Sequence, residues 1–170
     1  PSSIALIGVS KDIRRPSGRA LNALLKWHYP GKLYPINPNH TEIHGLPCYP
    51  TLLDVPGEVD MVIISVPAPL VLGALEHCVQ KKVKVVVLFT SGFAEIGPEG
   101  KALQDQVVQL AKQGGIRILG PNCVGLVNLS NAVMASFANI VDLKPVYPMT
   151  LGFVTQSGAF GTLIFATAVA

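Results

Sequence analysis

Short apolar runs recur roughly every 25–30 residues along the chain. Between them lie segments whose apolar positions fall three and four apart. Residues 3–9 (SIALIGV), 32–36 (KLYPI), 60–66 (DMVIISV), 83–89 (VKVVVLF) and 117–119 predict strands. Residues 18–28, 69–80 and 98–112 predict helices, with apolar stripes closed by Tyr29-Pro30-Gly31 and Gly114-Gly115 at the first and third. Pro69 falls in a first helical turn, where its missing N–H is harmless. Residues 43–53 read as an irregular connection, residues 124–129 as a further extended piece, and 131–141 as mixed.

The strand runs are apolar throughout instead of alternating, which is the pattern of strands covered on both faces. Strands alternating with helices make βαβ units, so the pattern predicts an α/β fold, a Rossmann-like doubly wound parallel sheet. The default order, counting strands as they occur, is 3-2-1-4-5. Ligands of such sheets bind beyond the carboxyl ends of the strands. Those ends here carry Gly8 to Gly18, Asn37-Pro38-Asn39, Val66-Pro67-Ala68, Thr90-Ser91-Gly92-Phe93 and Gly120-Pro121-Asn122-Cys123.

Composition narrows the reading. Charged residues make up 14% of the 170 and hydrophobic ones 49%, with mean hydropathy +0.46, so the chain can bury a core and is not disordered. The net charge of +3 is concentrated at the start. Lys11, Arg14 and Arg15 cluster there, as suits a small anionic ligand better than a nucleic-acid track. Aromatic residues are 6% and form no stacking ladder with the basic ones, so no nucleic-acid partner is expected. Cys48, Cys78 and Cys123 are widely spaced without a CxxC pair, neither a disulfide framework nor a zinc set. Reduced structural thiols point to a cytoplasmic setting. The chain opens Pro-Ser-Ser and runs straight into a strand, without a leader, and residues before Pro1 are expected to have been trimmed.

The first loop is not GxGxxG: Gly8 and Gly18 stand ten apart with three cations between them. The second strand ends on Asn37 instead of the acid that would bond a ribose 2′-hydroxyl, which argues against NAD. An NAD(H)-sensing module remains the alternative of another class. The loop can deliver a phosphate to a helix starting at Gly18, with Ser17 as its N-cap. Lys11, Arg14 and Arg15 add charge for more than one phosphate. On these residues alone, a solvated loop is the competing reading.

The motifs SIALIGVS (3–10), YPINP (34–38), SVPA (65–68), SGFAE (91–95) with GPEGK (97–101), and GPNCVGLVN (120–128) together carry a resemblance. The chain resembles the CoA-binding domain of NDP-forming (ADP-forming) acyl-CoA synthetases, in the superfamily of the succinyl-CoA synthetase α subunit. GFVTQSGAFG (152–161) resembles the opening of that family's second, flavodoxin-like domain. The same module also begins GCN5-linked protein lysine acetyltransferases, the first alternative for the parent protein.

The resemblance implies CoA or acyl-CoA as ligand, with ATP, ADP and Mg needed only in domains beyond this chain. Gly8 to Gly18 would wrap the CoA phosphates: Gly8, Val9, Ser10, Lys11, Arg14, Arg15 and Ser17, with Ser10, Arg15 and Ser17 in direct contact. Pro38 and Asn39 would lie near the ribose and its 3′-phosphate. Val66 and Pro67 would flank the adenine, Ser91, Gly92 and Phe93 would line the pantetheine, and Asn122 would sit near the thiol end. Relatives often place a Lys just after the second strand's Pro. Asn39 and His40 stand here, so either Arg14 or Arg15 supplies that charge or phosphate affinity is lower. No metal ligands and no catalytic residue are expected. The family's phosphorylated histidine belongs to a later domain, so His28, His40, His44 and His77 read as structural or surface groups. Cys123 has no base within several positions and reads as structural; Glu95 reads as an acid bonding backbone amides; Trp27 reads as core.

Residues 145–170 carry no charge at all. Their length would span a bilayer, but Pro145, Pro148, Gly152, Gly158 and Gly161 interrupt them. The expected organisation is a CoA-binding domain over 1–145 and the start of a second domain over 146–170, with a buried strand at 150–154 and a core helix from 159. That tail is expected to pack on the body or on a neighbouring copy. Expected partners are CoA and the remaining domains or subunit of the parent synthetase, without membrane; a homo-oligomer is compatible with this reading.

Overall fold

The computed structural model describes residues 1–142 and 152–168. Five parallel strands form the central sheet: β1 (Ser3–Ile7), β2 (Lys32–Ile36), β5 (Met61–Ile64), β6 (Val85–Leu88) and β7 (Arg117–Leu119). Their order is β2-β1-β5-β6-β7. Counted as parallel strands this is 2-1-3-4-5, which corrects the expected 3-2-1-4-5 within the same Rossmann-like, doubly wound class. The third parallel strand pairs with β1 because the free edge of β2 is already occupied. Tyr49 bridges Ile36 there, donating its N–H to the Pro35 carbonyl (3.0 Å) and accepting from the Asn37 N–H (3.0 Å). The connection that covers this edge folds into a two-strand hairpin, β3 (Glu42–Ile43) with β4 (Leu46–Pro47), and a short 3-10 turn, Leu52–Asp54.

Alternate residues of each strand feed two cores. Ile4, Leu6, Met61, Ile63 and Val87 meet Ala20, Leu21 and Leu24 of α1 (Pro16–Lys26). Ala5, Val62, Ile64, Val86 and Leu88 meet Leu75 and Cys78 of α2 (Val71–Gln80) and Val107 and Ala111 of α3 (Pro98–Gln113). An antiparallel hairpin, β8 (Gly125–Asn128) with β9 (Val133–Ser136), lies beside α1 and fills the rest of its layer through Val133 and Ala135. Both faces are therefore covered, which explains the unbroken apolar runs.

α1 begins two residues earlier than expected. Pro16 takes its first position and Arg15 its N-cap. A fixed φ and an absent N–H suit Pro to that place, so Ser17 sits inside the first turn and is not the N-cap. Trp27 is half-buried, not fully core, and its indole N–H donates to the Val141 carbonyl at 2.9 Å.

The strand expected at 150–154 is not found over Gly152–Val154, where Val154 is 96% exposed; Thr150 and Leu151 lie outside the described residues. A strand needs a paired neighbour, and none lies beside this one among the described residues. α4 (Gly158–Ala168) confirms the helix, but it buries no residue, which corrects the expectation of a core helix. It touches the body where Gly158 approaches the Val124 side chain. No described helix is long and apolar enough to cross a membrane.

The carboxyl edge of the sheet as a candidate CoA site

The parallel register sets the strand ends in a row. Ile7 pairs with Ile36 on one side and Ile64 on the other, Ile64 with Leu88, and Val87 with Leu119. Five strands at ~4.8 Å spacing make this edge about 19 Å long. Hydrogen bonds join neighbouring loops along it. The Asn37 side-chain N–H donates to the Val9 carbonyl (2.9 Å). The Thr90 hydroxyl donates to the Val66 carbonyl (2.7 Å), and the Asn122 N–H donates to the Thr90 carbonyl (2.9 Å). Asn37 thus works as a tie between loops.

The loop after β1 folds on itself before entering α1. The Asp12 N–H donates to the Ser10 hydroxyl (3.1 Å), and the Arg15 N–H donates to the Asp12 carbonyl (3.0 Å). Ser17 donates its hydroxyl to the Gly8 carbonyl (3.0 Å), closing the loop at its base. Two glycines permit this. Gly8 has φ +79°, and a Cβ there would stand 2.6 Å from the Ser65 carbonyl oxygen. A Cβ at Gly18 would collide with the carbonyls of Ser10 and Asp12. The amides of Ser17 and Gly18 precede the first helical bond, from the Arg19 N–H to the Arg15 carbonyl (2.9 Å). Amides without an intrahelical acceptor beside a positive helix end favour an anion.

The three loop cations are exposed but not equivalent. Arg14 grips Asp12 with two nitrogens, Nε at 2.9 Å and Nη2 at 2.8 Å. Those side-chain bonds hold the Asp12 carboxyl at about 2. Among the described residues, Lys11 and Arg15 make no ion pair.

Pro38, Asn39, Pro67, Ser91 and Asn122 are exposed along the same edge; Gly8, Ser10, Val66 and Gly92 are half-buried. Val9 and Phe93 are fully enclosed. Phe93 therefore does not present its ring to a ligand, so a place along the pantetheine would rest on its backbone. The ring anchors the 91–95 turn in the α2–α3 core instead. Glu95 caps that turn, accepting from the amides of Gly92 (2.7 Å) and Phe93 (3.1 Å). These amide bonds, Gly92's foremost, lower its carboxyl below the usual range.

At the β7 end of the row a cavity of about 940 Å³ opens between the 119–130 segment and residues 152–168. Asn122 and Cys123 line it beside Val124, Leu126, Phe153 and Phe165, and among the described residues no charged side chain borders it. Burial pushes the Cys123 thiol up, and its Sγ lies 3.5 Å from the carbonyls of Leu88 and Leu119. It is a neutral packing group here. No group of three or more His, Cys, Asp or Glu among the described residues could hold a metal ion.

Asn37, Thr90 and Asp12 lie at ligand-side strand ends that sequence reasoning points to, but their hydrogen bonds between loops and within the first loop are not foreseen. Asn37-Pro38 and the Asp12–Arg14 spacing signal side-chain turns. Thr90 has no such signal, since any strand can end on a threonine.

The chain is 41% identical over 161 residues to acetate–CoA ligase (ADP-forming) II of Archaeoglobus fulgidus, covering 94% of this chain and 23% of that protein. It is 40% identical over 161 residues to the acetate–CoA ligase (ADP-forming) II subunit alpha of Pyrococcus furiosus, covering 95% and 34%. The solved dinucleotide forming acetyl-coenzyme A synthetase 1 of Ca. Korarchaeum cryptofilum, in complex with phosphate and ADP, superposes with TM-score 0.90 at 39% identity, covering 99% of this chain and 35% of that one. The chain thus spans between about a fifth and about a third of the length of such relatives. The model of the family described as a CoA binding domain matches residues 2–128, and the chain belongs to that family.

Proposed function

We propose that this chain binds CoA or acyl-CoA along the carboxyl edge of its sheet, as the N-terminal CoA-binding part of an ADP-forming acyl-CoA synthetase. The observation that carries this is the closed Gly8–Gly18 loop, with free helix amides at its base and, at its rim, two cations that no described acid pairs with. The phosphates of CoA would sit there, near Ser10, Arg15 and the amides of Ser17 and Gly18. The nucleoside would lie between Asn39 and the Val66-Pro67 pair, and the pantetheine would pass Ser91 and Gly92 toward Asn122. The uncharged cavity beyond Asn122 suits a thiol and a small acyl group.

Residues 1–145 form the binding domain in this reading, and 146–170 begin a second unit. The wholly uncharged α4, none of whose residues is buried, supports that division, because a helix apolar on all sides belongs in a core. The chain itself catalyses nothing; acyl transfer and ATP formation require the further domains or subunit of the parent. The three free thiols suit a reducing, cytoplasmic setting.

Binding is tested by thermal unfolding with CoA. A ligand at a hundred times its Kd stabilises by about 2.7 kcal/mol, a rise of roughly 5–10 °C for a chain of this size. No rise with millimolar CoA, or an equal rise with NADH, would overturn the reading.

A further inference from the structure

We infer that Lys11 is the residue that selects a ligand carrying a phosphate on its ribose, by lending a positive charge to the turn after β2. This rests on the CoA reading of the edge and deepens it. The turn at Asn37-Pro38-Asn39-His40 holds no lysine or arginine of its own. It is built around one side chain. Asn37 accepts the Asn39 N–H on its side-chain oxygen (2.9 Å) and donates its side-chain N–H to the Val9 carbonyl (2.9 Å). The backbone two residues before Lys11 is therefore fastened to this turn. Cys48 sits on the same spot, its Sγ 3.6 Å from the Asn37 carbonyl, and burial pushes its thiol up. Lys11, exposed, follows two residues after the point where the loop is tied to the β2 turn.

The other loop cations are placed differently. Arg14 is paired with Asp12 through its Nε and Nη2. Arg15 is the N-cap of α1, beside the free amides, where a diphosphate would lie. This assignment replaces the expectation that Arg14 or Arg15 makes up for Asn39. A lysine serves as a flexible point charge for a terminal phosphate, which needs no planar fork.

The test is calorimetric titration of the chain with CoA and with dephospho-CoA, which lacks only the ribose 3′-phosphate. Lys11→Met is expected to weaken CoA roughly tenfold, the worth of one charge-assisted bond, while dephospho-CoA changes less than about twofold. Lys11→Met together with Asn39→Lys is expected to restore CoA. Arg15→Ala is expected to weaken both ligands alike. Equal weakening of both ligands by Lys11→Met, or none, overturns the assignment while leaving CoA binding standing. Failure of the unaltered chain to bind either ligand overturns the underlying reading instead.

Discussion

Gly8 shows how much of the site rests on single atoms. Its φ is +79°, and a methyl group on its Cα would stand 2.6 Å from the Ser65 carbonyl oxygen, which leaves no room for a side chain. Gly8→Ala combines left-handed strain with a clash against backbone, and is expected to cost about 2–4 kcal/mol. Denaturant unfolding measures this; an unchanged midpoint would show the loop to be looser than described. Glu95 offers a second test. Its lowered folded value means its contribution is complete at neutral pH, above the usual glutamate range. That contribution is lost as pH falls below that range and through the lowered value. Amide exchange at Gly92 and Phe93 is expected to lose protection over that acid window in the native chain. In Glu95→Gln the loss is expected to be present already at neutral pH. Identical pH profiles for the two would show that the carboxylate does not hold the turn.

At the scale of elements, the join between loop and helix is the Ser17 hydroxyl on the Gly8 carbonyl. Ser17→Ala is expected to cost roughly 1 kcal/mol of stability and to weaken CoA severalfold, since the free amides beside it lose their fixed position. Unaltered affinity would show that α1 alone orients them. The five parallel strands and the three body helices are legible in the sequence, because five apolar runs and three amphipathic stripes leave little choice of element; β3, β4 and β9 fall in stretches read as irregular or mixed. The loop at β1's end is legible as a candidate anion site from Gly8, Gly18 and the cations between them. Strand order is not, since it depends on whether the third parallel strand finds the edge of β1 or that of β2 open, and the 48–49 segment that closes the β2 edge has no strand pattern. The helix start is displaced by two residues because a serine and a proline both signal one, and Pro16 comes first. Phe93 reads as a ligand contact only through the family resemblance carried by SGFAE; packing reveals that its ring points inward.

At the scale of the whole molecule, the sheet separates two poles. The carboxyl edge gathers the loop cations, the free amides of α1 and the half-buried residues of four other loops. The amino edge carries Asp60, Lys84 and Arg117 at strand starts. The uncharged segment at the far end of the chain meets the body beside β8, next to the cavity where the thiol of a bound CoA would arrive. Its apolar residues raise the hydropathy of the chain, and the described ones, 152–168, are not among the buried core. The most direct measurement of the central claim is an amide chemical-shift map of the chain titrated with CoA. Shifts are expected at 8–18, 37–39, 65–68, 90–93 and 120–123, along one edge, with 60, 84 and 117 unmoved. Shifts centred on the amino edge, or a loop at 8–18 that stays silent while CoA binds, would contradict it.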